Sequence, residues 1–199
     1  MPESFRRVMA RNMDSLKSGT HDVNTEKFLM ETHRSILEEG ILERTLSTVD
    51  RLRSQPKFSE VAKDFGALAQ MMFLLNLPER EPSSSDKLLV LSDVIGRSSQ
   101  TFRLVVYDAS EVEGSRNEVR TLLETVRQRR SKLSERFSSV EVAQLPTSPT
   151  VPLDPRSPLY GIAAVVYSHA INDTARAWLW IWKLANGDMT GRPSLQPQR

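Results

Sequence analysis

Residues 58–77 read FSEVAKDFGALAQMMFLLNL, and this stretch decides the fold. Its second half is apolar on nearly every face, the mark of a helix buried all round by its neighbours. Ser59 is placed to cap its start, and Pro78 stops it, since the residue before a proline leaves helical geometry. No run elsewhere alternates with a period of two. The expectation is an all-α fold, a bundle of about six to seven helices around this segment.

The neighbours on either side are amphipathic. Residues 4–17 carry Phe5, Val8, Met9, Met13 and Leu16 at helical spacing, with Gly19 as the stop. Asn24 or Thr25 caps a second helix through Phe28, Leu29, His33, Ile36 and Leu37, which Gly40 stops or bends. Ile41, Leu42, Thr45, Leu46, Val49 and Leu52 then continue to Pro56. Downstream, residues 86–107 resume a helical pattern with Gly96 in the middle, and residues 118–137 form a clean amphipathic helix. Residues 138–158 contain five prolines and read as an extended connector. Pro158 opens the last helix, which ends at Asn186-Gly187. Domain organisation follows as one helical domain over residues 1–187 and a flexible tail over 188–199.

The chain has 199 residues, no cysteine and a formal charge of +2. Disulfides and thiolate metal sites are excluded. So small a net charge makes nucleic acid an unfavoured partner. Residues 1–7 run straight into the amphipathic pattern with no apolar leader, so the expected location is cytoplasmic, with export also compatible. The longest apolar stretch, 159–182, contains His169, Asn172, Asp173 and Arg176 and reads poorly as a membrane span.

Few residues carry chemistry. The HExxH, P-loop, GxGxxG and GxSxG patterns are absent. His169 and Asp173 stand four apart and share a helix face, with Asn172 and Arg176 on or beside it. That pair reads either as a metal or proton-transfer site, or as a buried hydrogen-bond network with Asp173 on Arg176. The second is favoured, because one His and one Asp are too few ligands for a metal. Trp178 and Trp182 share a side while Trp180 faces away, so at least one is expected at the surface, for bundle packing or for a membrane or protein contact. The run Arg127-Gln128-Arg129-Arg130-Ser131-Lys132 could meet phosphates, but glutamates lie nearby and a solvated helix face is the better reading.

Residues 64–80, DFGALAQMMFLLNLPER, resemble the central motif of the zinc-dependent phospholipase C and single-strand nuclease superfamily. That motif reads Gly-x-Leu-x-His-x-x-x-Asp-x-x-x-Pro-x-His. Gly66, Leu68 and Pro78 fall in register, while Gln70, Leu74 and Arg80 stand where the metal ligands would be. Asp22 and His33 resemble the family's upstream aspartate and histidine. The later His-x-x-x-Glu pair has no counterpart in residues 81–107. Asn172-Asp173-Thr174 and the tryptophans resemble the family's closing helix. The resemblance implies a phospholipase C-like scaffold that has lost its zinc centre.

The leading functional expectation is therefore a non-catalytic, phospholipase C-like helical protein, without cofactor or catalytic residues, that acts by binding a protein or phospholipid surface. A second reading is a zinc-dependent phosphodiesterase with a reduced site of Asp22, His33, His169 and Asp173. A third is an unrelated helical interaction module using the basic helix and the tryptophans.

Overall fold

The computed structural model describes residues 1–23, 34–54, 57–79, 85–103, 112, 114–140 and 154–189. Among these residues the regular structure is wholly α-helical. The helices are α1 (Glu3–Arg11), α2 (Met13–His21), α3 (Arg34–Arg53), α4 (Phe58–Asn76), α5 (Ser85–Ser98), α6 (Arg116–Ser138) and α7 (Pro158–Leu184).

α4 is the centre of the bundle. From Ala67 to Leu77 its residues are buried or nearly so, with Leu68, Met72, Leu75 and Leu77 fully enclosed. It packs on α2, α3 and α7. Pro78 ends it as expected, with Leu77 turning to extended geometry. At the other end Lys57 holds the capping position and no side chain caps the helix, so Ser59 lies inside the first turn and not at the cap.

Expectations about glycine and the first helix are corrected. The chain breaks at Asn12, whose side-chain amide donates to the Val8 carbonyl at 2.8 Å. The break separates α1 from α2 and leaves Met13 about half exposed, so Met13 is not a core position. Gly19 does not stop a helix but lies within α2, its Cα against the Lys63 backbone of α4. Gly66 answers from α4, its Cα against the Leu16 backbone. Each glycine removes the side chain that would hold the two backbones apart, so α2 and α4 cross in close contact. Gly40 likewise leaves α3 unbroken, with the Met71 side chain against it.

α5 is shorter than its pattern suggested. It ends at Ser98, and Phe102 turns back to pack on Tyr160 and Tyr167 of α7 at ring separations of 5.2 and 5.4 Å. Pro158 opens α7 as the sequence implied, with the Ser157 hydroxyl accepting from the Tyr160 N–H. The helix closes on Asn186 in the left-handed region, φ 60°. The Asn186 N–H donates to the Lys183 carbonyl and the Gly187 N–H to the Trp182 carbonyl, a Schellman arrangement. Asp188 is anchored: its carbonyl accepts from the Trp182 indole at 2.9 Å and the Ser4 hydroxyl at 2.8 Å. The expected loose tail therefore does not begin at 188; residues 190–199 lie outside the described residues, as do 141–153 of the proline-rich connector.

None of the tryptophans is a free surface anchor. Trp178 and Trp182 share a side, as their spacing required, and stand among Phe5, Phe58 and Phe65. Trp180 is buried on another face and donates to the Ser115 carbonyl at 2.8 Å, while Trp178 donates to the Phe65 carbonyl at 3.0 Å. No helix of the described residues is long and apolar enough to cross a membrane.

Candidate functional site

Asp173 sits on α7, and burying its carboxylate among apolar residues requires partners that replace water. The partners come from two other helices. Nη2 of Arg129 on α6 donates to Oδ1 at 2.8 Å and Oδ2 at 2.6 Å. The Asn76 amide, in the last turn of α4, donates to Oδ2 at 3.0 Å and to the Met72 carbonyl at 3.0 Å. One carboxylate thus ties α4, α6 and α7 together. Its side chain is only 6% exposed, and that of Arg129 is 26% exposed.

The expected partner, Arg176, is instead directed to Glu118 at 3.7 Å. Arg129, arriving across the seam from α6, takes both Asp173 oxygens. His169 lies one turn before Asp173 and is half-buried. Burial holds its imidazole below the ordinary histidine value, the Arg129 charge adds to that effect, and Asp173 opposes it.

The basic run on α6 is solvated only in part: Arg127, Gln128, Ser131 and Lys132 are exposed, while Arg129 and Arg130 turn inward. Arg129 is engaged with Asp173, and Arg130 is buried, with Nε 3.3 Å from Glu79 beyond the end of α4. Arg127, though more than half exposed, pairs with Glu38 of α3, whose hydrogen bond raises the guanidinium above its ordinary value. Ser134, one turn on from Arg130, accepts from the Glu79 N–H at 2.7 Å. Three arginines within four residues therefore reach three different elements. Sequence reading missed these partners because they are distant along the chain. A signal was present in the charges: a buried aspartate in an apolar helix demands a cation, and α6 holds the densest supply.

Of the residues suggested as remnants of a metal site, Asp22 and Asp173 lie at opposite ends of α4. Asp22 is exposed at the end of α2, in an open cleft of about 430 Å³ lined also by Ser15, Arg51, Ser59, Glu60, Lys63 and Asp64. Asp173 is at the other end of α4, beside Asn76. From Lys63 to Asn76 the helix climbs about 20 Å at ~1.5 Å per residue. Ligands of one zinc must approach it within about 2 Å, so Asp22 and Asp173 cannot share one. No group of three or more His, Cys, Asp or Glu side chains suited to a metal occurs among the described residues. His33 and Arg80 lie outside those residues. Gln70 is partly buried, and Leu74 is 1% exposed within the core.

Comparison with protein-family models, with curated proteins and with solved structures returned no match to this chain.

Proposed function

We propose that this chain is a non-catalytic helical protein that acts by binding a protein partner. The observation that carries the reading is the engagement of Asp173: both of its oxygens are taken by Arg129 and Asn76, which leaves it structural. Leu74, where the superfamily resemblance would place a metal-bridging aspartate, is a hydrocarbon side chain enclosed in the core. The three residues in register with that superfamily have packing roles of their own. Gly66 admits α2, Leu68 is fully buried and Pro78 ends α4. The resemblance thus adds no chemistry to the proposal.

A protein partner is favoured over nucleic acid or an anionic lipid surface by the same ion pairs. Arg127, Arg129 and Arg130 would have to abandon Glu38, Asp173 and Glu79 to meet phosphates, and the net charge is small. The test is elemental analysis of protein purified without chelator, with hydrolysis assays on phospholipid and single-stranded DNA and flotation on anionic vesicles. The expected result is no stoichiometric zinc, no turnover and no salt-sensitive vesicle or DNA binding. About one zinc per chain, with turnover abolished by His33→Ala or His169→Ala, would establish the hydrolase reading instead.

A further inference from the structure

We propose that the seam between α6 and α7 is an acid-released latch: His169, on taking up a proton, competes with Arg129 for the Asp173 carboxylate and frees α6. Among the described residues Asp173 is the acid of this cluster, and it joins α7 to α6 through Arg129 and to α4 through Asn76. Arg129 grips both oxygens through Nη2 alone, and its buried Nε has no hydrogen-bond partner. A two-nitrogen fork on a carboxylate is the stronger geometry. The hold here is a single-nitrogen one that a second cation can displace.

That second cation can come from α7 itself. His169 is four residues before Asp173 on α7, so the two side chains stand on one face a turn apart. Among the described residues, Arg129 from α6 and Asp173 from its own helix act on it by charge. α4 contributes the uncharged amide of Asn76, and the Arg130–Glu79 and Arg176–Glu118 pairs flank the cluster without net charge. A proton on His169 would place two cations against one carboxylate. Relief comes when Arg129, whose side chain already reaches solvent over a quarter of its surface, swings to water and takes α6 with it.

The sign follows from burial and from Arg129, which hold the closed-state imidazole below its ordinary value. The opened seam binds the proton more readily than the closed one. Opening therefore grows as pH falls through the ordinary histidine range, by up to about tenfold per pH unit until the closed-state value is passed.

Amide hydrogen exchange on the full chain, expressed as protection factors from about pH 7.5 to about pH 5, tests this. Protection around Arg129 in α6 should fall by up to about tenfold per pH unit, while the α2–α4 crossing at Gly19 and Gly66 holds. His169→Gln, which keeps a polar side chain that cannot charge, should flatten the α6 response. NMR titration of wild-type His169 should give a value below that of ordinary histidine, and this keeps the test sharp if the variant does not fold. Protection in α6 that is flat in the wild type, a decline that persists in His169→Gln, or a His169 that titrates at or above the ordinary value would each overturn the latch.

Discussion

The Leu16 carbonyl oxygen of α2 lies against the Cα of Gly66 in α4, so close that a β-carbon at 66 would overlap it. Gly19 repeats the relationship in reverse against Lys63. Backbone cannot yield as a flexible side chain can, so the crossing of the two helices is fixed by these two missing side chains.

Gly66→Ala should accordingly destabilise by about 1–3 kcal/mol or more, the usual range for forced overpacking. Gly96 is the control: it is also helical, but a β-carbon there meets nothing within 4 Å. Gly96→Ala should stabilise by about 0.5–1 kcal/mol by removing unfolded-state freedom. Urea midpoints for the two variants should move in opposite directions. Equal destabilisation would mean that the α2–α4 crossing is not as tight as described.

Arg129 and Asp173 should behave as a coupled pair. Arg129→Met leaves a buried carboxylate without its guanidinium, and Asp173→Leu leaves a largely buried guanidinium. Each should cost about 3 kcal/mol, the lower end for broken buried pairs because Arg129 is a quarter exposed. The double variant should cost less than the sum, by about 1–3 kcal/mol. Additive losses in the denaturation cycle would show that the two residues do not hold each other.

What was legible in the sequence was whatever a single helix decides locally. The burial of α4 followed from its apolar circumference, and the start of α7 from Pro158. Its close followed from Asn186-Gly187. Glycine misled at 19 and 40, because its sequence signature is the same whether it ends a helix or lets another approach. The break at Asn12 was hidden by apolar residues that keep helical spacing on both sides of it. The clasp on Asp173 was hidden by distance, since Arg129 is 44 residues away in the chain and Asn76 is 97. Helical periodicity carries no information across such separations.

The end of α7 gives a cleaner local test. Asn186 holds φ 60°, a region costing a side-chain-bearing residue about 1 kcal/mol unless it is glycine or can bond locally. Asn186→Gly should raise stability by a few tenths to about 1 kcal/mol, and Asn186→Ala should lower it by about 1 kcal/mol. For a chain of this size each kcal/mol is about 2–4 °C in Tm. Thermal scans that order the three as Gly above Asn above Ala bear out the Schellman close, and an order with Ala above Asn contradicts it.

Leu74→Asp puts the superfamily's bridging carboxylate back where the resemblance would have it. Leu74 is 1% exposed, and no group of metal-ligating side chains occurs among the described residues. An ionised carboxylate there is uncompensated, so burial should push its carboxyl above the ordinary range. The folded state then binds a proton that the unfolded state releases. The loss relative to wild type at the same pH should be several kcal/mol at neutrality and should shrink as pH falls through the raised value. Added zinc should not restore the fold, because one carboxylate without fellow ligands binds too weakly to offset that cost. Zinc-dependent recovery of Tm in Leu74→Asp, absent in wild type, would mean that His33 and other side chains do converge on this position. The reduced metal site would then replace the non-catalytic reading.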